Sequence, residues 1–205
     1  MRGFSYVQPK IVTAAGAECP HDLIVAIRHP HGALLAHQDP VGVLERTARE
    51  LPLLVRSWTP ARFDEAYAPG KLTGHRILVH LLNVELAYGP RLRMALSSPG
   101  HLGRPFDPNA WRPIEALNNG PVALTAWSAL RAVNIRVWLQ VGRRYWAWPF
   151  AHPEFGAITL RDLAAIWAGH DLHHLVQLSA IGRASLRGEP GAQGAREPRQ
   201  AAGLD

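Results

Sequence analysis

The sequence predicts an all-α protein, specifically a four-helix bundle. Three observations carry this. Four stretches repeat apolar residues at spacings of three and four, which puts them on one helical face. Three of those stretches open on a recognisable N-cap. No stretch alternates apolar and polar residues convincingly enough to read as a strand, and no long internal repeat is present. At 205 residues the chain is long enough for one domain with a proper core.

Taken in order, residues 1–38 read as an irregular leader. Pro9, Pro20, Pro30, Gly3, Gly16 and Gly32 interrupt any period, and His21, His29, His31 and His37 lack ligand spacing. The bundle is expected over 39–182. Its first helix starts at Asp39, an N-cap with Pro40 at the first helical position, and runs to about Trp58 with a kink at Pro52. The second starts near Thr73, with Ile77, His80, Leu81, Val84 and Tyr88 on one face; His75, in its first turn, is expected to be exposed. A Pro/Gly-rich loop covers Ser97–Pro113, of a length that is often functional. The third helix covers Pro121–Val141, and the aromatic stretch RRYWAWPFAHPEFG that follows reads as a loop roofing the bundle. Thr159 and Asp162 form a variant capping box ahead of the fourth helix. The Gly/Pro/Ala/Arg-rich residues 183–205 read as a disordered tail.

The fourth helix carries the chemistry. Leu163, Ile166, His170, His174, Gln177 and Ile181 share one face, so two imidazoles one turn apart point inward. Burying them as plain core is costly, because each ring nitrogen needs a partner. A metal ion meets that need. The plainer alternative is a polar face whose histidines are exposed or paired with neighbours. His80 on the second helix sits in the same kind of stripe; by itself it reads as a satisfied core histidine. Three imidazoles with one open position describe a catalytic-type metal site. Asp171 follows His170 directly and reads either as a base or supporting group, or as a surface acid, since adjacent residues face apart on a helix. Gln177 is placed to orient a ligand or water.

Composition narrows the setting. A single cysteine, Cys19, rules out an internal disulfide framework and fits a reducing compartment. The longest apolar candidate, Ala132–Val141, contains Arg136 and is too short to span a membrane. The net charge of +6 gathers mid-chain: Ala116–Pro153 has no acid but holds Arg131, Arg136, Arg143 and Arg144. That face suits solvent, the carboxylates of a small ligand, or nucleic acid, for which no recognised motif is present. The expectation is a cytoplasmic protein with a small-molecule substrate, a homodimeric assembly, and no membrane or nucleic-acid partner.

These residues together resemble the DinB/YfiT-like superfamily of metal-binding four-helix bundles. The group includes mycothiol-dependent maleylpyruvate isomerases and bacillithiol transferases. The resemblance runs over about Asp39–Ile181 and rests on HLLNVE at His80–Glu85, HDLHHLVQL at His170–Leu178 and the lead-in Gly156–Leu160. It implies a metal triad of His80, His170 and His174, with the neighbouring imidazole of His173 as a reserve ligand. Asn83 stands where the family usually has Asp. The implied ion is divalent, Zn2+ first, with Ni2+ and Fe2+ also suited to imidazole. The implied activity is a thiol-dependent S-transferase or a related hydrolase or isomerase, with a low-molecular-weight thiol as a possible cosubstrate. The alternative is a non-catalytic, stress-associated bundle in which the ion stabilises helix packing. HDLHH also parallels the HExxH of zinc proteases, but Asp for Glu and a third histidine far upstream depart from that pattern.

Overall fold

The computed structural model describes residues 31–98, 100–111, 119–186 and 192–193. Residues 1–30 of the expected leader, part of the long loop and most of the expected tail lie outside them. Four long helices dominate: α1 (Pro40–Val55), α3 (Gly74–Ser97), α5 (Gly120–Val141) and α6 (Leu160–Leu186). Two single-turn helices lie between them, α2 (Pro60–Phe63) and α4 (Pro108–Trp111).

Local chemistry sets the helix starts. The Asp39 carboxylate accepts the Gly42 amide at 2.9 Å with Pro40 following, and Thr73 accepts the Arg76 amide at 3.4 Å. At α6 the capping box is reciprocal. Thr159 Oγ1 accepts the Asp162 amide at 3.2 Å, and Asp162 accepts the Thr159 amide at 2.8 Å. Asp therefore serves here where Glu is usual. Helix α1 runs on through Pro52 and stops at Val55, short of the expected Trp58. His75 is half-buried rather than exposed; its Nδ1 accepts the Gly120 amide at 2.9 Å and so ties the start of α5 to α3.

Each long helix packs against two others: α1 on α5 and α6, α3 on α5 and α6. The four close into a ring in which α1 and α3, consecutive in the chain, sit diagonally, as do α5 and α6. Long connections are therefore required to cross the bundle ends, and the sequence supplies them. The loop after α5 contains two strands where the sequence reading found none. Pro149–His152 (β2) and Gly156–Thr159 (β3) form an antiparallel hairpin, with Phe150 opposite Ile158 on the core side. Gly156 makes the turn at φ +72. Gly103 and His101 hydrogen-bond to Ala151 of that hairpin, so the two long loops are joined over one end of the bundle. Two residues of the expected tail, Ala192–Gln193 (β4), pair with Glu65–Ala66 (β1), and α6 itself extends to Leu186. Residues Gly32–Leu35 of the leader form a 3-10 turn packed on α6.

The core falls into two apolar clusters. One holds Leu44, Leu92, Trp138, Phe150, Leu163 and Trp167; the other holds Leu51, Ile77, Leu81, Trp127, Leu178 and Ile181. Between them a polar layer crosses the bundle, and the candidate site is part of it. Among the described residues, no helix is long and apolar enough to cross a membrane.

Candidate metal centre

His80 from α3 and His170 and His174 from α6 meet in the polar layer. Their Nε2 atoms converge: 2.9 Å separates those of His80 and His170, and 3.1 Å those of His170 and His174. The stripe spacing on each helix and the packing of α3 on α6 together produce this. Burial disfavours the charged form of both α6 histidines, and the neighbouring imidazoles add to the effect. His170 is held well below its ordinary value and His174 is pushed down to about 3. The rings are therefore neutral at neutral pH and carry lone pairs.

Gln177 fixes one of those lone pairs. Its Oε1 lies 2.8 Å from His174 Nδ1 and can only accept, so Nδ1 carries the proton and Nε2 presents its lone pair. The amide nitrogen of Gln177 faces His173 Nε2 at 2.9 Å and the Tyr67 hydroxyl at 3.3 Å. A ring nitrogen offers a proton or a lone pair, not both. Protons alone thus leave this trio with one nitrogen shared between two neighbours or two lone pairs facing each other, whereas a single cation accepts all three. Nδ1 of His170 is also buried without a hydrogen-bond partner among the described residues. The donor set fits a divalent transition metal, with imidazole nitrogens only.

Beside the histidines, one ion-pair network links all four long helices. Arg131 of α5, 1% exposed, donates to Glu85 Oε2 of α3 from Nε and Nη2 at 2.9 and 2.7 Å. It also donates to both carboxylate oxygens of Asp171 on α6, the longer at 3.2 Å, and to Thr47 Oγ1 at 3.3 Å. Thr47 of α1 donates to Asp171 at 2.8 Å, and Asn134 donates to Glu85 at 2.8 Å. The guanidinium lies over the rings of Trp127 and Trp167, at 4.6 and 5.4 Å from their centroids. Burial raises the Glu85 pKa against the lowering pull of Arg131. Asp171 directly follows His170 and Glu85 lies just over one turn after His80, so this network fixes the helix rotation that aims both imidazoles.

A cavity of about 160 Å3 opens beside the trio. His31, His80, Ile166 and His170 line it; Val84, Tyr88 and Arg91 continue the α3 stripe along its wall, and Phe106, His152, Glu154 and Phe155 come from the joined loops. Arg91 is 7% exposed, lies over the Tyr88 ring and donates to the Arg104 carbonyl at 2.7 Å.

Residues 43–178 match the DinB superfamily. The chain belongs to that superfamily. A protein of Oceanobacillus iheyensis named "Putative metal-dependent hydrolase" is 24% identical over 145 residues, spanning 69% of this chain and 83% of the relative. Among solved structures, YfiT from Bacillus subtilis is described as "a probable metal-dependent hydrolase with an unusual four-helix bundle topology". It aligns with a TM-score of 0.63 at 21% identity, over 74% of this chain and 87% of that one. That likeness shows a shared fold, and the diagonal placement of consecutive helices is the feature of this DinB bundle that departs from a simple up-and-down order.

The sequence-predicted residues fare differently. His80, His170 and His174 come together. His173 stands beside them, its ring 5.0 Å from that of His174, but its Nε2 faces Gln177. Gln177 contacts His174, His173 and the Tyr67 hydroxyl. Asp171 is not a surface acid: it is 1% exposed and engaged by Arg131 and Thr47, which leaves it spoken for as a base. Arg131 drops out of the surface patch for the same reason, leaving Arg136, Arg143 and Arg144 exposed. His31, to which the sequence reading assigned no role, borders the cavity. The signal that points to it is Gly169, a glycine inside a helix, which usually has a packing reason.

Proposed function

We propose that this DinB chain is a metal-dependent enzyme acting on a small molecule, with His80, His170 and His174 holding the ion. The carrying observation is the convergence of three Nε2 atoms, two of whose rings, His80 and His170, line a cavity. Zn2+ is the first expectation, on imidazole preference. A bound divalent ion would lower the pKa of a water or thiol at the open position and supply a nucleophile at neutral pH. The metal-dependent hydrolase naming of the Oceanobacillus relative supports water as that nucleophile, and the bacillithiol- and mycothiol-type resemblance supports a thiol.

The chain's own residues divide the remaining work. Gln177 keeps His174 in the tautomer that presents Nε2. The Glu85–Arg131–Asp171 network holds α3 and α6 in rotation. Phe106 and Phe155 line the cavity and limit water, and Arg91 offers a buried cation along its wall. An open cavity favours catalysis over a purely structural ion, which is ordinarily closed by four protein ligands. The test is turnover by metal-loaded protein of ester and amide substrates, and of electrophiles presented with thiols. Activity in one class that is abolished by chelation and by His170→Ala is expected. Stoichiometric metal with no turnover in either class would refute catalysis and support the structural role.

A further inference from the structure

The leader's last described residues are seated by a contact that only glycine permits. A Cβ on Gly169 of α6 would stand 1.9 Å from the His31 carbonyl oxygen and 2.5 Å from its carbonyl carbon. Those are backbone atoms and cannot swing aside. Glycine in a helix interior costs about 1 kcal/mol relative to alanine, so its presence one residue before His170 calls for a reason, and this close approach is one. The far side of the segment is anchored as well. Leu35 is 5% exposed within the apolar core, and Ala36 and His37 turn the chain at φ 44 and 71 into the Asp39 cap. His31 is thus fixed in place by backbone docking, with Leu34 N donating to its carbonyl at 3.1 Å.

Its ring reaches the centre. It stands edge-on to His170 at 5.4 Å and to His173 at 5.0 Å between centroids, and lines the same cavity as His80 and His170. It is not in the group of three whose ligand atoms lie within 4.8 Å of one another. His31 also falls before residue 43, where the superfamily match begins.

We propose that His31 is a further ligand-contacting residue of this centre. Its imidazole hydrogen-bonds the water or small anion that occupies the cavity side of the three-histidine cluster, and Gly169 is the socket that seats it. The inference rests on the metal-centre reading above.

The test uses the full chain loaded with Co2+ and titrated with azide, followed by visible absorption at one fixed pH. Parent, His31→Ala, His31→Gln and Gly169→Ala are compared, with helical circular dichroism to confirm folding. All four should take up cobalt equally. Azide affinity should fall about tenfold in His31→Ala, the loss of one hydrogen bond to a charged group. Gly169→Ala should show a similar fall with every histidine intact, and His31→Gln should recover part of it. Azide binding unchanged in both His31→Ala and Gly169→Ala would overturn the assignment while leaving the metal centre standing. Loss of cobalt from His31→Ala would overturn it too, by making His31 a ligand. A parent that takes up no cobalt would refute the metal centre, and the His31 assignment with it.

Discussion

Replacing Arg131 by methionine would strand two carboxylates inside the bundle. Glu85 and Asp171 are each 1% exposed, and Arg131 supplies most of the hydrogen bonds that either accepts. A buried ion pair contributes little net stability over apolar packing, because desolvation offsets attraction. Removing one partner is different, and costs about 3–5 kcal/mol. Domains of this kind have roughly 5–15 kcal/mol in total. With a urea slope of about 2 kcal/mol/M, the unfolding midpoint should fall by about 2 M. The same logic predicts that Glu85→Leu and Asp171→Leu added to Arg131→Met recover most of that loss, since no charge then remains buried. Urea unfolding of metal-free protein, followed by circular dichroism, measures both. A midpoint for Arg131→Met within about 0.5 M of the parent would refute the claim that the two buried carboxylates depend on Arg131, as would a triple variant no more stable than the single.

Two further outcomes follow from the histidines. Gln177→Leu should weaken metal affinity about 10–100-fold, the usual effect of losing a group that orients a ligating imidazole. Competition with a chromophoric chelator reads this, and affinity within twofold of the parent would count against the tautomer argument. In metal-free protein, His170 and His174 are held neutral by burial, below their unfolded value of 6.5. The unfolded chain therefore takes up protons that the folded chain refuses as pH falls below about 6.5. Their stabilising contribution is present above that pH and is lost on acidification, toward about 3 for His174. Denaturant unfolding from pH 6.5 to 5.0 should show a steeper loss in the parent than in His174→Leu; parallel slopes would contradict the assignment.

What the sequence displayed was its local chemistry. Asp39 with Pro40, Thr73, and Thr159 with Asp162 are caps that act within one turn, so helix starts were legible. The histidine stripes were legible because helical geometry alone puts His170 and His174 on one face. The β2–β3 hairpin was not, since two four-residue strands in an aromatic loop gain their order from packing Phe150 and Ile158 on the core. Asp171 misled for a physical reason. One residue from His170 faces away from it, and on a surface helix that means solvent. Helix α6 instead packs against α1, α3 and the leader turn, so away from one neighbour is toward another. Arg131 misled likewise: its acid-free surroundings in sequence hide partners 46 and 40 residues away. His31 is placed by docking on Gly169, and no spacing rule in the leader records that.

Metal content is the most direct test of the central claim. Protein purified without a histidine tag, reconstituted with Zn2+ and measured by elemental analysis, should hold close to one ion per chain. His80→Ala and His174→Ala, each removing one of the three converging nitrogens, should lose it while remaining folded. Metal absent from the reconstituted parent, or retained undiminished in both variants, would contradict the three-histidine centre and leave a bundle whose polar layer serves packing alone.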